Sequence, residues 1–411
     1  MSPVATLHPF RALRPRSADA ARVAAVPYDV VNTDEARALA NGNPLSFLHV
    51  SRAEIDLPPG TDPYSDAVYE RAARNFDALR QSTLVVDEEP SLYLYVLGMG
   101  DHWQMGVAGC FSLDEYDRDV IRKHERTRPD KEDDRTRHML ALRAQTGPVF
   151  LTYRAHPDVD DLLEGDIRDA ERMVPGEVIA NFTAPDGVRH IVRRIDGPLR
   201  DDLVAAFNRI PALYIADGHH RAASAARARQ PGDPGQAESS TFLAVAFPHD
   251  QVQILPYNRI VKDLGAMTPD EFFRAVQDRF EAEAGPATPA RRGEIAMYYR
   301  GRWHTLRPRT KPDSSDAIGS LDVSILQEQL LASVLRIADV RTDKRIDFVG
   351  GARGTAELER LVDSGKAAAA FSLHPVSVTD LMRVSDAGAI MPPKSTWFEP
   401  KLRDGLLIHL I

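Results

Sequence analysis

The chain has one cysteine, Cys110, among its 411 residues. A single thiol excludes an internal disulfide framework. Its setting, Gly106-Val107-Ala108-Gly109-Cys110-Phe111, reads as that of a buried small hydrophobe. No run of about 18 apolar residues occurs, so no membrane-spanning helix is expected. The segment Met1–Arg16 lacks the apolar block of a signal peptide. These absences lead to the expectation of a cytoplasmic protein. Basic residues are also in deficit: 51 Lys and Arg stand against 60 Asp and Glu, a net charge of −9. Without a basic surplus to displace counterions, a nucleic-acid partner is not expected. There is no internal repeat and no long low-complexity linker. A hydrophobic share of 43% and a charged share of 27% are ordinary for a globular chain. The length allows one large core and suggests two domains.

The most informative stretch runs from Ala212 to Arg227. Strand-forming residues, Leu213-Tyr214-Ile215-Ala216, stop at Asp217-Gly218, and an Ala-rich helical stretch begins at once. A strand that turns through a glycine into a helix aims main-chain N–H groups at whatever lies in front of it. That terminus favours anions, and His219, His220 and Arg221 add donors to it. The junction reads as a phosphate or carboxylate pocket with an acid, Asp217, beside it. The plain alternative is a turn whose polar side chains cap the helix.

Asp217-Gly218-His219-His220-Arg221 followed by small residues resembles the phosphate-binding signature of the ParB/sulfiredoxin-like superfamily. There a strand–turn–helix with a G-x-x-R core holds nucleotide phosphates, and Gly218 to Arg221 match that core. Sulfiredoxins carry a cysteine inside the motif; His219 stands in its place here, so sulfinic-acid repair is not expected. The DGHHR form is similar to that of the free-serine kinases of the superfamily, which phosphorylate an amino-acid hydroxyl with a nucleotide. Further segments resemble a bacterial and archaeal family named domain of unknown function 1015 (DUF1015). They are Pro9–Pro15, Val26-Pro27-Tyr28-Asp29-Val30, Asn43–Leu48, Lys123-His124-Glu125, Asp217–Arg221 and Pro392–Phe398.

Other residue groups accompany the junction. Lys123-His124-Glu125-Arg126 is followed by Lys131, Asp134, Arg135 and His138. Arg135 and His138 are three apart and can share a helix face. His124 and Glu125 are expected to face the pocket as base or metal ligand, with Lys123, Arg126 and Arg135 neutralising phosphate; the alternative is a solvated charged surface. The resemblance to free-serine kinases implies a catalytic carboxylate from the N-terminal part, with Asp29 and Glu35 as candidates. Asp217 is placed as proton acceptor or Mg²⁺ ligand, together with Glu125 as metal ligand. Zinc needs three or four converging ligands, and His219 and His220 point in different directions on a helix start, which weighs against it. Ser46 and His49 are read either as pocket residues or as part of a buried strand. Gly350-Gly351-Ala352-Arg353-Gly354 is read as an anion-binding loop or a plain glycine-rich turn. Lys394, with Ser395 and Thr396, is expected to reach the nucleotide or an acidic substrate, or else to sit in a proline-locked closing strand.

Periodicity and turn residues give the framework. Helices are expected at Thr33–Ala40, capped by Thr33 or Asp34, and at Tyr64–Gln81, Arg135–Gln145, Asp158–Met173, Leu199–Asn208, Pro269–Glu283 and Thr355–Ser364. A hairpin is expected from Ser91–Leu97 and Gln104–Phe111, and a loop at Pro231–Gly235. The whole is expected to be mixed α/β (α+β). Residues 1–264 would form a ParB/sulfiredoxin-like nucleotide-binding domain with insertions, and 265–411 a smaller C-terminal α/β domain. The resemblance implies a phosphotransferase using ATP or ADP with Mg²⁺ on the hydroxyl of a small metabolite, first free L-serine. A nucleotide-binding regulator or clamp without turnover, or a nucleotide hydrolase, are the alternatives, and a homodimer is left open.

Overall fold

The computed structural model describes residues 4–163, 167, 176–229 and 236–411. Its chain gathers into two units, Met1–Val252 with Pro400–Ile411, and Gln253–Glu399. The fold is mixed α/β, and each unit has its own sheet.

Among the described residues, nine strands form the first unit's main sheet. In chain order they are β1 (Leu7–His8), β2 (Leu92–Met99), β3 (His102–Ser112), β4 (Ile121–Arg122), β5 (Val149–Tyr153), β6 (Val178–Thr183), β7 (Arg189–Ile195), β8 (Leu213–Asp217) and β9 (Thr241–Pro248). Their spatial order is β4-β8-β5-β9-β3-β2-β7-β6, with β1 added beside β3. The pairs β4–β8 and β5–β9 are parallel, and the remaining pairs are antiparallel. The longer helices of this unit are α1 (Thr33–Ala40), α2 (Asp66–Ser82), α3 (Pro129–Leu142), α4 (Gly197–Phe207) and α5 (His219–Ala228).

The expected hairpin is present as β2 and β3. Leu92 to Leu97 are all buried, which requires cover on both faces of the sheet. Leu92, Leu94 and Val96 join Val107, Phe111, Leu151, Phe207 and Ile215 in the main core. Each such side chain contributes about 1.5–3 kcal/mol on burial. The alternate residues face a second layer, where polar tips need partners: Tyr93 donates to Asp87 at 2.6 Å, and the Tyr95 hydroxyl lies 3.1 Å from His190 Nδ1. A second cluster packs Leu13, Val23, Phe47, Phe76, Leu79 and Ile408 around α1 and α2.

The chain's last residues return to this unit. Asp404 exchanges main-chain hydrogen bonds with Ala25 at 2.9 and 3.1 Å, Ile408 does so with Leu13, and His409 and Leu410 pair with Gln145 and Ala144. The Ala25 pairing brings the Asp404 carboxylate to the Tyr28 main-chain N–H.

The second unit carries a six-stranded antiparallel sheet. Its strands are β10 (Tyr257–Val261), β11 (Phe280–Ala284), β12 (Ile295–Tyr299), β13 (Arg302–Pro308), β14 (Ile346–Gly350) and β15 (Ala369–Leu373), in the order β11-β13-β12-β15-β10-β14. Helices α6 (Pro269–Arg279), α7 (Gly354–Asp363) and α8 (Val378–Asp386) belong to this unit. Gln253–Leu255 pairs with Trp397–Glu399, so the strands by which the chain enters and leaves the unit are joined.

Several expected elements are corrected. The cap of α1 is Asn32, in a reciprocal box with Glu35, not Thr33 or Asp34. Asn43–Val50 holds a short helix, Leu48–Ser51, in place of a strand. The helix expected at Arg135–Gln145 starts at Pro129 and ends at Leu142. The helix from Pro269 stops at Arg279, and Phe280–Ala284 pairs as a strand with β13. The Glu and Ala residues of that segment suit helix, but sheet pairing overrides local preference. The helix expected from Asp158 is two short turns up to Leu163; the rest of it apart from residue 167, like the Pro231–Gly235 loop, lies outside the described residues.

Candidate functional site

The parallel pairing of β4 with β8 builds the site. Leu213 sits opposite Ile121 and Tyr214 opposite Arg122, so both strands leave the sheet at the same end. Lys123-His124-Glu125 and Asp217-Gly218-His219 therefore emerge side by side. Gly218 makes the turn with φ 95°, a left-handed conformation that only glycine adopts cheaply. A Cβ there would come within 2.9 Å of Arg221 Nε, so the side-chain-free position also admits the guanidinium. The first turn of α5 then presents main-chain N–H groups that have no carbonyl partner within the helix.

Arg221 is buried and folds back under this turn. It donates to the Pro148 carbonyl and, at 3.3 Å, to Asp217 Oδ2. Lys401 Nζ donates to the same oxygen at 3.4 Å. Burial pushes the Asp217 carboxyl up, but Lys401 and Arg221 outweigh it and hold the group below the usual carboxylate range. Asp217 is thus a fixed anion between two cations. That is a poor setting for a proton acceptor, which works best with a pKa near the operating pH. A metal ion there would have to compete with both cations.

Asp29 is exposed, and its charge is felt at Tyr28, His220, Arg221 and Asp404. It stands at the margin of the cluster. Glu35, the other N-terminal carboxylate, belongs to the α1 cap. His220 turns away from His219, and its Nε2 accepts from the Arg128 main-chain N–H at 3.1 Å. His219 faces His124: the rings are edge to face, 4.5 Å between centroids, and the His124 main-chain N–H points at His219 Nε2 at 3.4 Å. Burial lowers both rings, His124 to about 4, so both are neutral near pH 7. Glu125 is half-buried beside them; a ligand atom from each of His124, Glu125 and His219 lies within 4.8 Å of the others.

Arg135 is drawn inward. Its guanidinium stacks 4.1 Å from the Tyr28 ring centre and pairs with Asp134 at 2.8 Å. Behind the turn, a small cavity of about 30 Å³ is bordered by Tyr28, Ser51, Arg135, His138, Arg221 and Asp404. That is room for about one or two waters. Asp404 is buried, and burial pushes its carboxyl up to about 7, opposed by Arg221 and reinforced by Asp29.

The remaining candidates are held by other partners. Lys123 donates to the Tyr116 carbonyl at 2.8 Å and to Asp119 at 2.9 Å. His49 is spent on Asp56, 2.8 Å away, and Ser46 accepts from the Leu48 N–H. Lys394 belongs to the second unit, 5.5 Å from the Tyr257 ring centre. In that unit Gly350 and Gly351 answer to packing: a Cβ would meet the Trp397 indole at 3.0 Å or the Pro256 carbonyl oxygen at 2.5 Å. Lys401 and Asp404 belong to no motif; nothing local in Pro400-Lys401-Leu402-Arg403-Asp404 marks them.

Comparison with curated proteins found no match. Among solved structures, SbnI with a C-terminal truncation from Staphylococcus aureus gives a TM-score of 0.41 at 13% identity, covering 74% of this chain and 87% of its own. A conserved hypothetical protein from Pyrococcus furiosus gives 0.37 at 12% identity, covering 74% and 95%. A free serine kinase in complex with AMP gives 0.36 at 14% identity, covering 73% and 92%. Likeness at this level leaves the chemistry to be argued from side chains. The family described as Protein of unknown function (DUF1015) matches residues 7–324, and the chain belongs to it.

Proposed function

We propose that the first unit is a nucleotide-dependent phosphotransferase that acts on the hydroxyl of a small metabolite, with free L-serine as the first candidate acceptor. One observation carries the reading: the left-handed Gly218 turn opens a helix directly above buried Arg221, with Lys401 held alongside by Asp217. Phosphoryl transfer asks the protein chiefly for positioning and for positive charge around the moving group. The N–H groups of the α5 start, Arg221 and Lys401 provide both. The resemblance of Asp217–Arg221 to the free-serine kinase motif supports free L-serine as the acceptor and ATP or ADP, bound with Mg²⁺, as the donor. The proton of the acceptor hydroxyl goes to Asp29, which is exposed at the margin of the cluster, while Asp217 holds Lys401 and Arg221 in place.

The test is incubation of the pure protein with ATP, ADP or CTP, Mg²⁺ and a panel of amino acids. Phosphoserine is expected. Free phosphate without acceptor would make the protein a hydrolase, and nucleotide binding without turnover a clamp; either result overturns the proposal. With turnover in hand, Asp29→Asn is expected to lower kcat by at least a hundredfold with little change in nucleotide affinity. Asp217→Asn is expected to weaken nucleotide binding as well, because Lys401 and Arg221 lose their shared anchor.

A further inference from the structure

His219 and His220 lie next to each other in the chain but not in their directions, and a zinc site made of that pair fails on geometry. The structure supplies the missing imidazole from another strand. The parallel β4–β8 pairing carries His124 and Glu125 to the start of α5, and one ligand atom from each of His124, Glu125 and His219 lies within 4.8 Å of the others. Among the described residues no other group of three histidine, cysteine or carboxylate side chains converges in this way.

We infer that His124, Glu125 and His219 form a binding site for one divalent transition-metal ion, of the zinc, cobalt or manganese class. The donor set decides the class. Magnesium and calcium take oxygen ligands and hold waters, whereas two imidazoles with one carboxylate suit the borderline transition ions. The His124 ring is hydrogen-bonded to the main chain of Ile215. A ring N–H given to a carbonyl fixes the tautomer and turns the other nitrogen's lone pair outward, the usual support of a metal-bound histidine. Glu125 is half-buried, so the side facing solvent leaves room for a water or a substrate oxygen as a further ligand. Metal–ligand bonds of ~2.1 Å put tetrahedral ligands roughly 3.4 Å apart, so side chains whose ligand atoms lie within 4.8 Å of one another need small shifts to close, and His219 Nε2 gives up its 3.4 Å contact with the His124 main-chain N–H or the ring ligates through Nδ1. The ion would stand beside the α5 start, where the proposed donor's phosphates end, but the site needs no nucleotide to exist.

The experiment is a titration of the metal-stripped, full-length protein with Co²⁺, followed by visible absorption, with Zn²⁺ and Mg²⁺ as competitors. A d–d band saturating at one ion per chain, displaced by Zn²⁺ and not by a hundredfold excess of Mg²⁺, is expected. His219→Ala and Glu125→Gln should each weaken Co²⁺ binding at least tenfold. Glu125→Gln guards against misfolding, since the half-buried side chain is replaced by its isostere, and His102→Ala, on β3 with Gln104 as its partner, should bind as the wild type does. No band, displacement by Mg²⁺, or undiminished binding in Glu125→Gln and His219→Ala overturns the inference. Nucleotide binding is read separately, by thermal shift without transition metal, so the failure of one reading is distinguishable from the failure of the other.

Discussion

Asp217 and Asp404 are two carboxylates near one guanidinium, and they are held in opposite directions. Asp217 has Lys401 and Arg221 on a single oxygen and is kept ionised. Asp404 is buried at the cavity wall, and its carboxyl rises from 3.8 to about 7. The consequence for stability follows from the sign of that rise. Below about pH 4 the folded and unfolded chains both hold the proton, and no difference exists. Between pH 4 and 7 the unfolded chain releases it while the folded chain keeps it, so this group removes stability as pH rises. A rise of this size corresponds to at most about 4 kcal/mol, reached near pH 7. Asp404→Asn is therefore expected to flatten the fall in unfolding free energy between pH 4.5 and 7, relative to the wild type. Urea denaturation across that range checks it; parallel curves for the two proteins would mean Asp404 is ionised in the fold. Asp404 and Lys401 are also the residues that local sequence hides. Asp217 to Arg221 are legible because five adjacent polar and glycine residues interrupt an apolar strand and an Ala-rich helix. Lys401 and Asp404 reach the same place only through a pairing with Ala25, which no short-range pattern encodes.

A strand, a turn and a helix have to agree at Gly218 for the site to exist. β8 reaches it through a register shift between Ile215 and Asp217, which bends the strand's end. The glycine takes φ 95°, and α5 begins at the next residue. Gly218→Ala tests this junction. An alanine at positive φ costs about 1–2 kcal/mol. Its Cβ would also lie 2.9 Å from Arg221 Nε, so the guanidinium must move. The expected result is a loss of about 1–3 kcal/mol in unfolding free energy, with nucleotide affinity falling at least tenfold. Equilibrium unfolding and a binding titration measure both, and wild-type affinity in a destabilised variant would separate Arg221 from the phosphate site. Elements of this kind are legible where period and punctuation coincide, as in the β2–β3 hairpin with its turn at Gly100-Asp101. They are not where pairing partners decide. Ile121–Arg122 is too short to announce a strand, yet its parallel register with β8 is what sets His124 against His219. Phe280–Ala284 is written in residues that favour helix, and β13 makes it a strand.

At the scale of the molecule, the chain completes its first unit with its own end. Pro400–Ile411 belongs to that unit, and Gln253–Glu399 forms the second between paired entry and exit strands. Leu402, Leu406, Leu407 and Ile408 are all at most 3% exposed. At about 1.5–3 kcal/mol each, four such side chains contribute roughly 6–12 kcal/mol, comparable to the whole stability of a typical domain. The tail also carries Lys401, the Ala25–Asp404 pairing, and the Arg403 guanidinium that donates to buried His190 at 3.2 Å. A chain ending at Glu399 is therefore expected to lose the first unit's cooperative fold, not merely a ligand contact. The second unit is the internal control, because its six-stranded sheet and its neck pairing, Gln253–Leu255 with Trp397–Glu399, lie within 253–399. Hydrogen exchange on the truncated protein should show fast exchange across β2, β3 and β9 and retained protection across β10, β12 and β15. Slow exchange in β2 and β3 of the truncated chain would show that the core around Leu94 and Val107 stands without the tail. Lys401 would then be a residue delivered to a finished site, whereas the burial of its neighbours argues that the same segment that brings the charge closes the core.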